Sequence, residues 1–287
     1  MLLPMLLLVL VYSYIPMLGN IIAFQKFVPS LGVLNSKWIG LDNFRYVFNL
    51  PSTAQVIYNT IIIASMKIVA SLIIPTIIAL LLNEINRKLF WVKKSVQTLI
   101  YLPHFISWVL LSGIIIDILS PRTGIINKVI TLFGFEPIYF LTSNSWFRFV
   151  MVSTDVWKEF GFSTIIFLAA ITSIDPTLYE AASIDGAKRL RQTWHITLPG
   201  MKPIILLMAI LSLGNILNAG FDQIFNLYNP LVYETGDILD TLIYRTGIVN
   251  AQYGVATAIG IFKSMVGCFL ISISYWFAYK FSDYRIF

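Results

Sequence analysis

Residues 180 to 199 read Glu180-Ala181-Ala182-Ser183-Ile184-Asp185-Gly186-Ala187-Lys188-Arg189-Leu190-Arg191-Gln192-Thr193-Trp194-His195-Ile196-Thr197-Leu198-Pro199. This is a hydrophilic block set between apolar runs that could each cross a bilayer. Ala181, Ala182 and Ala187 are small enough to let a second helix approach closely. Gly186 can take a positive φ and so end one short helix, while Lys188 to Ile196 has the composition to begin another. Pro199 reads as the terminator of the block. The expected local structure is helix, turn, helix, lying along the cytoplasmic face of a membrane.

Composition sets the class around this block. With 57% hydrophobic and 12% charged residues and a mean hydropathy of +0.79, a soluble domain would leave large apolar areas in water. The single cysteine, Cys268, sits in an apolar run, which excludes a disulfide framework or a cysteine metal site and fits a small buried hydrophobe. A net charge of +6 matters here through its placement and gives no reason to expect nucleic acid.

Six apolar runs, at 2–24, 57–82, 96–119, 147–172, 204–226 and 254–279, approach or exceed the roughly 20 residues that cross the hydrocarbon. The connections 83–95, 173–203 and 280–287 hold ten Lys or Arg, including Arg87, Lys88, Lys188, Arg189, Arg191, Lys280 and Arg285. The opposite connections hold six. The positive-inside rule therefore puts both termini and the 173–203 loop in the cytoplasm. The first run has no basic n-region, contains Pro4 and Pro16 and outlasts a signal-peptide core. It reads as an uncleaved span whose cytoplasmic leader is absent or very short. Residues 1–287 are expected to form one transmembrane domain, with 173–203 as a loop within it.

The outer segments 25–56 and 120–146 carry turn signals at Pro29-Ser30-Leu31-Gly32 and Pro121-Arg122-Thr123-Gly124. Trp38, Tyr139, Phe140 and Trp146 suit an interfacial aromatic belt. Pro75 and Pro103 lie within spans and are expected to kink them.

The 180–199 block resembles the cytoplasmic signature of binding-protein-dependent ABC importer permeases. That signature is Glu-Ala-Ala, three residues, Gly, nine residues, Ile, one residue, Leu-Pro, and every position is met here. The resemblance implies an all-α protein with the six-helix, MetI-like fold of a type I importer. It also implies that the loop is a coupling helix docked in a cleft of an ATPase subunit. Glu180, Ala181, Ala182, Asp185, Gly186, Ile196, Leu198 and Pro199 are the coupling residues so implied. Tyr14-Ile15-Pro16-Met17, Ala23-Phe24 and Trp38-Ile39-Gly40-Leu41-Asp42-Asn43-Phe44 are similar to the carbohydrate-uptake branch, in the subgroup that handles complex oligosaccharides and is named for a lipoprotein operon. Partners follow from the same resemblance: a second, unlike permease, two ATPase subunits that bind ATP and Mg, and an extracytoplasmic solute-binding protein. The implied location is a bacterial cytoplasmic membrane.

Polar residues inside the spans mark a candidate path. Lys67, Asp155, Lys158, Glu159 and Lys263 all fall within apolar runs, where a charge near the bilayer centre costs ~2.5 to 3.5 kcal/mol. Lys67, Glu159 and Lys263 each lie about ten residues from the outer end of a span, ~15 Å deep, and could meet at one level. Asp155 sits one turn from Glu159, a like-charge pair that needs a cation or water. Two readings stand, a buried ion-pair network bracing helices and a substrate-facing surface. In the fifth run Asn215, Asn218 and Asp222, with Asn226 one turn further, are expected to form one polar helix face, flanked by Phe221 and Phe225. Amides and a carboxylate beside aromatic rings suit a sugar, although interhelical hydrogen bonds would use the same residue types.

His104 and His195 each lack a second His, a Cys or a paired carboxylate at metal or triad spacing, and there is no phosphate-binding glycine loop followed by Lys-Ser or Lys-Thr. The expectation is a non-catalytic pore subunit without a cofactor of its own. An importer for a polyamine, phosphate or peptide is the alternative. An intramembrane enzyme using Asp155 with Glu159 and a scaffold or sensory protein are rivals from other classes.

Overall fold

The computed structural model describes residues 3–85 and 89–281, with side chains to residue 276 at the second end. Arg87, Lys88 and Arg285, which entered the charge count, lie outside the described residues, as does the side chain of Lys280. The fold is helical, apart from one antiparallel pair, β1 (Gln25–Lys26) with β2 (Lys37–Trp38).

Helix α1 (Leu3–Phe24) passes through a π turn at Leu10–Tyr14 and a 3-10 turn at Leu18–Phe24 before reaching β1. Helix α2 (Asp42–Asn49) is tied to this junction by Asn43, whose buried amide donates to the carbonyls of Ala23 at 2.8 Å and Gln25 at 3.0 Å. Phe24 stacks on Trp38 at 5.7 Å. Of the four aromatic residues assigned to an interfacial belt, Trp38, Tyr139 and Trp146 are exposed, but Phe140 is 7% exposed and belongs to the core.

Helix α3 (Pro51–Glu84) is the spine of the molecule. Its 34 residues span roughly 51 Å, well beyond the ~30 Å of hydrocarbon. Pro75 lies inside α3 without ending it. The third apolar run behaves differently from the expected kinked span. Helix α4 (Phe90–Phe105) closes with a 3-10 turn at Pro103, and α5 (Trp108–Leu119) restarts at 105° to it, its first turn capped by Ser107. Proline removes a donor, but Leu102 before it stays helical; the chain breaks after the 3-10 turn, where Ile106 and Ser107 are extended and Ser107 caps the new helix.

Helix α6 (Ile125–Leu132) follows the turn at Pro121 and leads to α7 (Asn144–Thr172), which lies along α3. Gly161 makes a close approach possible, because a Cβ there would collide with the backbone carbonyl of Ile100 in α4. Helix α8 (Pro176–Ile184) turns 66° from α7. Helix α9 (Arg189–Gly214) then runs unbroken through a π turn at Thr193–Thr197, Pro199 and Pro203. Pro199 therefore does not terminate the block; it sits in the first turn after the wide π turn, where its missing N–H costs little.

The fifth run, 204–226, is not one helix. After Gly214 the chain leaves helical geometry, and Gly220 at φ +95° admits a separate short helix, α10 (Phe221–Leu227). Helix α11 (Leu239–Tyr244), extended by a π turn at Arg245–Val249, and α12 (Tyr253–Phe281) complete the chain. Four helices are long and apolar enough to cross a membrane, and the number reaches six if each bent pair, α4 with α5 and α7 with α8, is one span. Two of the three buried clusters found among the described residues run along α3 and α7. One joins Ile63, Leu111, Phe147, Met151 and Ile224 across α3, α5, α7 and α10 with Ile238 at the start of α11. The other joins Ala79, Phe167, Ile171 and Met201 near the α7–α8 bend.

Candidate functional site

The 173–203 loop is built from its own side chains. Asp175 caps α8, its carboxylate accepting from the Thr177 N–H at 2.9 Å, and that hydrogen bond holds the carboxyl below the usual range. At the other end Gly186, φ +76°, closes a Schellman turn, with Gly186 N–H donating to Ser183 at 3.1 Å and Ala187 N–H to Ala182 at 2.8 Å. Gln192 reaches back to the Ser183 hydroxyl at 2.9 Å and the Ala187 carbonyl at 3.0 Å, and Tyr179 meets buried Thr197 at 3.0 Å. Arg189 bonds the carboxylate of Glu84 at 3.0 Å, fastening α9 to the end of α3.

Of the residues assigned to coupling, Glu180, Ala181, Asp185, Gly186 and Pro199 are exposed, while Ala182, Ile196 and Leu198 are half-buried against the rest of the loop. Ile184, Leu190 and Trp194 are also exposed, at 87%, 85% and 68%. Exposed apolar side chains beside Lys188, Arg191 and His195 form a patch of the kind that meets another protein or a membrane surface.

Within the bundle, Lys67 of α3 is the hub. Its ammonium, almost wholly buried, donates to Asp155 of α7 at 3.0 Å, to the Ala219 carbonyl at 2.8 Å and to the Gln223 side-chain oxygen. Gln223 is fully buried and donates in turn to the Met151 carbonyl at 2.8 Å and the Thr154 hydroxyl at 2.7 Å. Three donors on one ammonium are thus satisfied, which offsets its desolvation. A side chain at position 220 would meet the Lys67 nitrogen 2.8 Å from its Cβ, a second reason for glycine there.

A cleft of about 300 Å³ opens on this hub, walled by Lys67, Ser71, Asp155, Asn215, Asn218 and Gly220. It lies at the low end of the ~300–1,000 Å³ of small-molecule sites. The two asparagines are exposed to it, and their bonds are local: Asn215 donates to the Leu211 carbonyl and Asn218 to the Asn215 side chain, each at 3.2 Å.

The other predicted path residues are elsewhere. Glu159 pairs with Lys158 at 2.9 Å and with His104 at 2.7 Å, and the His104 ring stacks on Phe162 at 4.3 Å. Lys263 pairs with Asp240 of α11 at 2.5 Å, and neither Glu159 nor Lys263 is among the residues that wall the cleft at Lys67. Each cation found the carboxylate that its own packing brought near. The break at 215–220 takes Asp222 and Phe225 off the face of Asn215 and Asn218; both ride on α10, Asp222 exposed and Phe225 stacked on Phe221 at 5.2 Å.

Sequence reasoning passed over several participants. His104 does have a carboxylate partner, 55 residues away, beyond any local spacing rule. Arg148, bonded to Asn59 at 2.8 Å and the Thr235 carbonyl at 3.2 Å, is a charge inside the fourth apolar run and was countable. Gln223 was visible only as an amide among apolar residues. Among the described residues no cluster of three or more His, Cys, Asp or Glu is placed to hold a metal.

The sequence matches the family described as binding-protein-dependent transport system inner membrane component over residues 75–280. It is 43% identical to the polygalacturonan/rhamnogalacturonan transport system permease protein YteP of Bacillus subtilis (strain 168), covering 100% of this chain and 89% of that protein. Protein LplB of the same organism is 41% identical, over 100% and 90%. A crystal structure of a bacterial ABC transporter involved in import of the acidic polysaccharide alginate superposes with a TM-score of 0.90 at 39% identity, covering 98% of this chain and 94% of that one. A bacterial alginate ABC transporter in complex with an alginate pentasaccharide-bound periplasmic protein gives 0.90 at 37%, over 100% and 95%. The capped two-helix loop and the helical bundle around Lys67 are thus the parts of an importer's pore subunit, and the chain belongs to the family of binding-protein-dependent transport system inner membrane components.

Proposed function

We propose that the chain is the transmembrane subunit of an ATP-driven importer for a sugar or oligosaccharide, and that Asn215 and Asn218, with Lys67 and Asp155 behind them, present the cargo-facing surface. The observation that carries this reading is the state of the two asparagines. They face open volume and bond only within their own turn, whereas amides that brace helices are consumed by partners on other elements, as Asn59 is by the Glu234 and Asp237 carbonyls. Free amide donors and acceptors match hydroxyls. Similarity to proteins named for polygalacturonan, rhamnogalacturonan and alginate supports a saccharide over a polyamine, phosphate or peptide.

The chain would work with a second, unlike permease, two ATPase subunits that hold ATP and Mg, and an extracytoplasmic solute-binding protein. It would sit in a bacterial cytoplasmic membrane as one transmembrane unit, both termini and α8 on the cytoplasmic side. Helix α9 supplies the linkage. Its 26 residues, roughly 39 Å long, connect the docking loop to Asn215 without interruption. Closure of the ATPase pair on ATP would move α8 and the start of α9, and a rigid helix would deliver that displacement to the break beside the cleft.

The test is uptake into proteoliposomes holding the full importer, with its binding protein and ATP, using galacturonan and neutral oligosaccharides of one to six units, with spermidine, phosphate and a tripeptide for comparison. ATP-dependent saccharide accumulation is expected. Accumulation of a comparison solute with none of the saccharides would overturn the reading.

A further inference from the structure

The broken fifth span leaves one feature that the cleft does not use. Starting at Phe221, the residue after Gly220 in the cleft wall, aromatic rings follow one another: Phe221 stacks on Phe225 at 5.2 Å, Phe225 meets Tyr228 at 6.3 Å, and Tyr228 stacks on Tyr233 at 5.2 Å. Tyr244 leans on Phe225 at 4.7 Å, and the Arg245 guanidinium lies 4.7 Å over the Tyr233 ring. All five residues are half-buried. Asp222 and Asn226 stand on the same short helix, and the tyrosines contribute hydroxyls, so the rings have a polar rim.

The direction of this strip is fixed by α7. Its cleft end is level with Asp155, through Lys67, while Glu234 and Thr235, next to Tyr233, bond Asn144 at 3.1 and 2.8 Å. From Asp155 to Asn144 is eleven residues, roughly 16 Å along the helix, leading away from the docking loop. The rings therefore lie between the level of the cleft and the end of α7 that is remote from α8.

We propose that Phe221, Phe225, Tyr228 and Tyr233 form a second saccharide subsite, a stacking track on which successive pyranose rings of an oligosaccharide lie while its leading sugar occupies the Asn215–Asn218 cleft. Pyranose rings present CH faces that pack on aromatic rings and equatorial hydroxyls that reach a polar rim, and the centroid steps are close to one sugar unit of an extended chain. The Arg245 guanidinium beside Tyr233 is held by Asp237 at 2.5 Å and 3.1 Å, and the charge on the rim is the exposed carboxylate of Asp222. Burial, with Tyr233 beside it, pushes the Tyr228 hydroxyl up to about 12, so it remains a neutral donor at working pH. Such a track selects by chain length, because a single sugar fills the cleft and leaves the rings empty, whereas a longer chain gains a stacking contact with each added unit.

This inference rests on the saccharide reading, and the experiment separates the two. Phe225→Leu and Tyr228→Leu are assayed beside Tyr228→Phe in the reconstituted importer, with the one-to-six-unit galacturonan and neutral series. Each leucine variant should lower uptake of four- to six-unit chains about tenfold while changing the shortest sugars less than twofold, and Tyr228→Phe should retain the length preference. Equal losses at every length, or no loss at any, would overturn the track while leaving the saccharide cargo in place. Absence of uptake of every saccharide by the unaltered importer would overturn both. Because uptake is compared across lengths within one variant, reduced assembly lowers every length alike and counts against the proposal only if the length preference is unchanged.

Discussion

Lys67 concentrates the energetics at the scale of single residues. An ammonium in a span is tolerated when every donor is answered, and here Asp155, Ala219 and Gln223 answer all three. Removing one partner is more damaging than removing both, because the survivor is left charged in a desolvated site. Lys67→Met should therefore destabilise the purified complex by about 3 kcal/mol, and adding Asp155→Leu should recover more than half of that loss. Thermal unfolding of the two variants checks this. A double variant no more stable than the single one would show that the pair is not the unit. At Asp175 the lowered carboxyl sets a pH dependence. A group with a depressed folded-state pKa contributes fully above the ordinary carboxylate value and loses its contribution as pH falls through the folded value. Amide exchange in α8, corrected for its intrinsic pH dependence, should thus accelerate in acid for the wild type but not for Asp175→Asn, whose cap does not titrate.

Among the elements, α9 and the turn before it tie the two sites together. Gly186 holds φ +76°, which costs roughly 1–2 kcal/mol for an L side chain and more when it is β-branched. Gly186→Val should leave the bundle inserted but misplace α8 against α9, uncoupling ATP hydrolysis from uptake; transport-stimulated ATPase activity indistinguishable from wild type would contradict it. How legible each element was follows from how local its cause is. The helix–turn–helix of the loop could be read from Gly186 and the run Lys188 to Ile196, because a positive-φ turn acts within a few residues. The break after Gly214 was also written locally, in Gly214-Asn215 and Asn218-Ala219-Gly220, but the hydrophobicity of 204–226 masked it. The pairing of Lys67 with Asp155, and of His104 with Glu159, could not be read, since 88 and 55 residues separate the partners and only packing chooses among carboxylates. Gln223 was missed for the same reason: its role appears once α10 is placed between α3 and α7.

For the whole molecule, orientation and path are the two claims that a complete importer can test. The excess of Lys and Arg on one set of connections predicts that a cysteine at Thr123 labels with an impermeant reagent from outside and one at Arg189 only after permeabilisation, in a Cys268→Ser background. Labelling of both from one side would mean that one of the bent pairs does not cross. The path is tested by one substitution. Asn218 faces the cleft and bonds only Asn215, so Asn218→Leu removes an amide from that surface without stripping a partner from any other helix. The decisive measurement sets ATP-driven oligosaccharide uptake beside the melting temperature of the same purified complex. The account predicts uptake lowered at least tenfold with a melting temperature and basal ATPase activity near those of the wild type. A complex that melts earlier yet transports normally per assembled importer would contradict it.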